Sequence, residues 1–421
     1  MQANIAAIAA LKAFMPTNDL RGAARLATDA TAGLTNLVEA MHERIARLPG
    51  VKAPADAGRT SGITGLVYKT IRGVTHLVGG SLDALLAMLA PTLDPKLGTD
   101  TRPGLARPER DAVVAALNGV LGDYLAATAN PLACSMGLRH DGKPLTLQRD
   151  ALAAALPQAS GTLFVLVHGL CMNDVQWRRN GHDHGAALAA ECGGSAIYLR
   201  YNSGLHISIN GRQLAQQLQA LCDAWPQALQ RVVLIGHSMG GLVLRSAFHH
   251  AEQAGLQWPQ QVVDLVFLGT PHHGAPLERA GQWVDTLLGA TPYASPFARL
   301  GKVRSAGITD LRHGNLLDED WLGRDRFAHR ADRRLPVPLP SGPRCWAIAA
   351  SLGAEPGAVK DRLWGDGLVP VDSALGRHAQ AARTLAFAPE RQWLAQGVSH
   401  LDLMSNADVY GQLRTWLLQP R

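Results

Sequence analysis

The sequence predicts an α/β fold: a mostly parallel sheet with helices on both faces, an N-terminal helical region and a lid-like insertion. Three observations predict it. From about residue 135, short β-rich runs alternate with helical patterns. The runs are apolar throughout instead of alternating, which is how strands buried on both faces read. The chain has 421 residues, 47% of them hydrophobic, enough to bury a large core and more than one domain needs.

Residues 1–130 read as helical. They are rich in Ala and Leu, and Leu34, Leu37, Val38, Met41 and Ile45 recur at roughly helical spacing. Leu66, Val67, Ile71, Val74, Leu77 and Val78 do the same on a more apolar stretch. A tract with Pro91, Pro95, Gly98, Pro103 and Pro108 reads as a loop, and Ala112–Ala127 as a further helix. These helices either cover the rest of the chain or meet a membrane, lipid droplet or granule surface. Amphipathic stripes more often pack inward, which favours the first reading.

Residues 131–421 form the α/β part. Asp141-Gly142 sits between two short extended stretches and marks a hairpin. Strands are expected at Leu163–Val167, Ala196–Tyr201, Val232–Ile235, Val262–Leu268, Trp346–Ala350 and Thr384–Ala388. A segment rich in Pro, Arg and Asp, about 278–343, is too long for a simple loop and reads as an insertion over one end of the sheet. Its Trp283, Val284, Leu287, Leu288 and Trp321 suit either an apolar lid or packing of the insertion itself.

Composition excludes several function classes. The net charge is +6 and basic residues are scattered, with no run of five like charges, so nucleic acid is not an expected partner. The five cysteines form no C-x-x-C pair and are odd in number, which argues against a disulfide framework and a zinc site and fits a reducing, cytoplasmic setting. The N-terminus lacks a basic n-region, and Lys12 interrupts its apolar stretch. No run of 18 apolar residues occurs, so no transmembrane helix is expected.

The stretch carrying the chemistry is Gln230–Phe248, where a strand ends in Gly-His-Ser-Met-Gly-Gly and a helix follows. A serine hydroxyl reacts only when a base takes its proton and the oxygen stands clear of the backbone. A sharp strand-to-helix turn achieves that, and small residues two before and two after the serine, Gly236 and Gly240, permit it. Ser238 is thus the candidate nucleophile; a chance glycine turn is the alternative. A second apolar strand ends at His168-Gly169, and the backbone N–H groups of Leu170 and Met239 are the candidate oxyanion donors. Of sixteen histidines, His400 is the last and follows the late strands, which makes it the candidate base. Asp366, between two glycines after a late strand, is the candidate acid, with Asp361 and Asp372 as neighbours able to replace it. His168, His237 and His272 are candidate pocket residues, although His168 suits a structural hydrogen bond better.

Together, VHGL (Val167–Leu170), GHSMGG (Gly236–Gly241), GTPHHGAP (Gly269–Pro276), GDGLVP (Gly365–Pro370) and SHLDL (Ser399–Leu403) resemble α/β-hydrolases of the bacterial lipase and esterase type. The resemblance covers about residues 135–421. It implies Ser238 as nucleophile, His400 as base, Asp366 as acid, and Leu170 and Met239 as oxyanion donors. The leucine after His168-Gly169 and the apolar residues of the insertion suit a hydrophobic ester as substrate, and no cofactor is expected. Asp402 stands where secreted relatives hold a calcium ligand, but no second aspartate pairs with it; it is expected to cap the following helix, and no metal is expected. An acyltransferase or thioesterase with the same three residues stays open. So does a non-catalytic binding protein on this fold.

Overall fold

The computed structural model describes residues 18–19, 21–32, 69, 80, 107–275, 304–327, 332–353 and 365–418. The lid residues proposed from sequence at 283–288 lie outside the described residues, as do Asp361 and the helical stripes at 34–45 and 66–78. Residues 21–32 are helical. The chain forms two compact units, Met1–Ala106 with Leu125–Ala133, and Arg107–Tyr124 with Cys134–Arg421. Most of the helix α1 (Arg107–Ala127) belongs to the second unit, with the sheet.

Eight strands make one sheet: β1 (Gly137–His140), β2 (Lys143–Pro144), β3 (Thr162–Val167), β4 (Ser195–Arg200), β5 (Arg231–His237), β6 (Val262–Leu268), β7 (Arg344–Ser351) and β8 (Gln392–Gln396). Their order is β2-β1-β4-β3-β5-β6-β7-β8. The six from β3 to β8 run parallel, while β1 pairs antiparallel with β2 and β4. The six parallel strands follow the order of the α/β-hydrolase fold; the hairpin departs from it, with β2 at the edge and β1 beside β4. The hairpin forms where Asp141-Gly142 predicts it, with both residues left-handed at φ 48° and 70°.

Burial follows the apolar runs. Leu163 to Val167 and Val232 to Ile235 are all buried, because both faces of the sheet are covered. Among the described helices of seven residues or more, five accompany the strands after α1: α2 (Arg149–Ala155), α3 (His184–Cys192), α4 (Ile207–Ala224), α5 (Met239–Gln253) and α6 (Ala407–Leu417). Helices α4 and α5 pack together at Gly211, where a Cβ would collide with Ser246 of α5.

One expected strand is absent. Residues 384–388 are irregular, and the ladder on β7 is made instead by Gln392–Gln396, with Ile348 opposite Trp393. The apolar side chains of Leu385 and Phe387 are buried all the same. Phe387 packs on Phe267 and His272, with ring centroids 5.8 and 5.4 Å away. Apolar sequence dictated burial there, and side-chain packing met it without a ladder. In the insertion, Trp321 stacks flat on His206 at 3.7 Å and donates from Nε1 to Ser208 Oγ, so this tryptophan packs the insertion onto the start of α4. Among the described residues no helix is long and apolar enough to cross a membrane.

Candidate active site

The serine turn joins β5 to α5. Ser238 has φ 53° and ψ −125°, a strained conformation for a residue with a Cβ. Its N–H donates to Leu268 O at 2.8 Å and holds the turn against the end of β6. Both glycines are required by close approach: a Cβ on Gly236 would strike the backbone of Gly241, and one on Gly240 the carbonyls of Val167 and His168. Ser238 is 2% exposed, and its Oγ has no hydrogen-bond partner among the described residues.

The second turn, His168 to Cys171, follows β3, the neighbour of β5. Gly169 lies against Ser238: a Cβ there would sit 3.0 Å from Ser238 Cβ. Cys171 is left-handed at φ 60°, and its N–H donates to Ser203 Oγ at 3.1 Å. Helix α1 braces this turn, since Gly119 leaves no room for a Cβ beside Cys171. Among the described residues the N–H groups of Leu170 and Met239 donate to no other group. Met239 opens α5, where unpaired N–H groups and the helix dipole favour negative charge.

Asp366 and His400 meet. Asp366 follows β7 on a turn whose flanking glycines are both left-handed, Gly365 at φ 50° and Gly367 at 96°. Its Oδ1 accepts the N–H groups of Leu368 and Val369 at 3.0 and 2.8 Å. Its Oδ2 lies 2.6 Å from His400 Nδ1. A carboxylate can only accept, so Nδ1 carries the proton and Nε2 is the basic nitrogen. The His400 N–H donates to Asp366 O at 3.1 Å, and the two residues are 1% and 3% exposed. Asp372, the alternative acid, pairs instead with Arg377 at 3.6 Å.

The three other histidines take different places. His168 stacks on Tyr201 at 4.4 Å, its Nδ1 lies 2.8 Å from Gly169 O, and Tyr201 Oη donates to His168 O. Burial pushes it down to about 3, so it stays neutral and shapes the turn. His237 lies 3.0 Å through Nε2 from His400 O, with the two rings 4.8 Å apart. Burial, and then the nearby His400, hold it well below the ordinary range. It ties the His400 loop to the serine turn, a positioning role the sequence reading missed. His272 is buried beside Arg245, whose NH1 is 3.4 Å from its Nδ1, and its ring packs on Phe267 and Phe387.

Asp402 differs from expectation. It accepts from Ser399 Oγ at 2.5 Å and faces Arg179 at 3.8 Å, while Asn406 caps α6 through Asp408 N and Val409 N. The helix starts too far along the chain for Asp402 to reach its first amides.

A PGAP1-like alpha/beta domain matches residues 158–349, less than half of the chain. Similar solved structures include a Bacillus licheniformis lipase in mature form, at 19% identity and TM-score 0.38, covering 61% of this chain and 91% of that one. Others are Aspergillus fumigatus lipase B, at 12% identity and TM-score 0.37 over 82% and 69% of the two chains, and a Pyrococcus furiosus esterase, at 12% identity and TM-score 0.36 over 62% and 82%. Nothing among curated protein sequences matches. At these values the likenesses add nothing to what strand order and the site's own contacts carry.

Proposed function

We propose that the protein is a serine hydrolase of carboxylic esters, acting on lipid-like or hydrophobic substrates through Ser238, His400 and Asp366. The observation that carries the reading is the buried His400–Asp366 pair at 2.6 Å, tied through His237 to a serine held at φ 53° with an unengaged Oγ. An ordinary glycine turn has no need of any of these.

Ser238 Oγ attacks the ester carbonyl carbon while His400 Nε2 takes its proton. Asp366 keeps the imidazole in the tautomer with Nδ1 protonated and stabilises the positive charge that forms on it. The oxyanion of the tetrahedral intermediate sits on the N–H groups of Leu170 and Met239; one such donor is worth about 10²–10³ in rate. His400 then gives its proton to the leaving alcohol. Water, activated by the same imidazole, releases the acid and restores the serine.

A fluorophosphonate probe should label the chain at Ser238 alone, mapped by peptide mass spectrometry. On p-nitrophenyl esters of graded chain length, Ser238→Ala should lower kcat by about 10⁴- to 10⁶-fold with the fold intact. Equal turnover by both proteins would remove the mechanism. A rate that rises from acetyl to longer acyl groups is the expected profile, and a rate highest on acetyl would remove the hydrophobic-substrate part.

A further inference from the structure

A cavity of about 360 Å³ lies beside α5, and Ser238 is not among the residues that line it. Leu316, Leu335, Val337, Leu339 and Leu385 give it an apolar lining. Arg245, His272, His273, Asp320, Arg334 and Arg383 supply its titratable groups. Its volume falls within the range of small-molecule sites.

The charges lining it are unequally satisfied. Arg334 and Arg383 share Asp332, at 2.9 and 3.0 Å. Asp320 is engaged through both oxygens by the N–H groups of Leu316, Leu317 and Leu335. Arg245 has no carboxylate partner among the described residues. Only 4% exposed, it donates to Val337 O and toward His272 Nδ1, and its Nε has no partner. A buried guanidinium without a counter-charge is costly.

His272 adds a second orphan. A guanidinium can only donate, so the His272 nitrogen facing it, Nδ1, is the acceptor and Nε2 carries the proton. That Nε2 is buried without a partner among the described residues. Burial and the neighbouring Arg245 hold His272 well below the ordinary range, so it adds a donor and no charge. Among the described residues, then, one cation without a carboxylate and two unanswered donors belong to side chains that line a cavity with both aliphatic and charged walls.

We propose that this cavity binds a carboxylate carrying an apolar chain, the carboxylate compensating Arg245 and the chain lying along Leu316, Val337, Leu339 and Leu385. An anion answers the missing counter-charge, and the aliphatic walls distinguish an amphiphile from a free inorganic ion. Arg245 lies seven residues beyond Ser238 on α5, about 10 Å along the helix axis at its standard rise. The site is separate from the serine and does not rest on the hydrolase reading.

Calorimetry on the full chain with Ser238→Ala, which removes acyl transfer from the measurement, tests this with octanoate, acetate, 1-octanol and inorganic phosphate. Octanoate should bind at least about tenfold more tightly than each of the other three, the size of effect expected from losing one charge-assisted contact or the buried tail. Arg245→Met in the same background should lose about tenfold or more in octanoate affinity without a lower Tm, since an apolar isostere removes an unpaired buried charge. An octanoate analogue with a terminal diazirine should cross-link unsubstituted protein within residues 335–340 or 382–386. Octanol binding equal to octanoate, unchanged affinity in Arg245→Met, or cross-links confined elsewhere would each overturn the proposal. A failure of Ser238 to react with the fluorophosphonate would leave these readouts unaffected, so the two readings fail separately.

Discussion

Two buried aspartates sit near opposite ends of the parallel strands, and the fold treats them differently. Asp264 lies near the start of β6, fully buried. It pairs with Arg231 of β5 at 2.8 Å, with Arg344 of β7 at 2.8 and 2.9 Å, and with Trp346 Nε1 at 2.9 Å. Asp366 lies past the end of β7 and meets no permanent cation among the described residues; its donors there are two backbone N–H groups and the His400 ring. The first carboxylate is neutralised by two permanent cations and fastens three strands. The second has a partner that can acquire charge, and its attraction for that partner grows when it does. On the proposed reading, the same residue type is structural in one place and chemical in the other because of what surrounds it.

Four experiments sharpen or break this contrast. Asp366→Asn should cost the most in activity. An amide keeps the shape but can present its NH₂ to His400 and favour the wrong tautomer, so kcat should fall by about 10⁴-fold with the melting profile little changed. Retention of turnover within tenfold would mean that another acid serves His400. Asp264→Asn should act the other way. Leaving two guanidinia facing a neutral amide should lower stability by on the order of 3 kcal/mol, read by urea titration, with kcat per folded molecule unchanged. That figure is at the lower end of the usual range because Arg231 and Arg344 reach solvent and can rehydrate. A large loss of kcat in this variant would break the division between the two ends.

Gly240→Ala should cost about 1–3 kcal/mol, because its methyl would strike the carbonyls of Val167 and His168, and turnover should drop further as the two turns separate. Unchanged activity would mean that their contact does not matter to the site.

The last expected effect concerns pH. Burial pushes His168 down to about 3, and His184 and His273 to about 4, from an ordinary 6.5. Above pH 6.5 neither the folded nor the unfolded chain protonates these rings, and their stabilising contribution is complete. Between 6.5 and about 4 only the unfolded chain takes the protons, so stability falls as pH falls, by at most about 1.4 kcal/mol per pH unit for each ring. Urea titrations at pH 7.5, 6 and 5 should show the decline, and His184→Gln should flatten it. Stability that rises on acidification would contradict the burial of these rings.

Much of the α/β part was legible in the sequence. Runs such as Leu163–Val167 are apolar on both faces and bounded by turns, and the strands formed within a residue or two of those bounds. The serine turn was legible because its requirements are local: a strained residue needs small neighbours at fixed offsets, and Gly236 and Gly240 occupy them. Thr384–Ala388 misled because apolarity signals burial and cannot say whether a ladder or side-chain packing achieves it. Asp402 misled because capping depends on where the helix begins, which Asn406 decides. The grouping of α1 with the sheet was not legible at all, since it depends on Gly119 meeting Cys171 across 52 positions of sequence.

By itself, then, the sequence determined the strand-to-helix turn at Ser238 and the turn at Asp366, where φ 50° and 96° at the flanking positions call for glycine. Steric rules of a few consecutive residues suffice for both. Only the tertiary structure decided that Asp366, not Asp372, meets His400, that His237 holds the His400 loop, and that Arg245 is buried with no acid beside it among the described residues. Those outcomes depend on strand order and on which side chains converge from distant segments, and no local spacing encodes that.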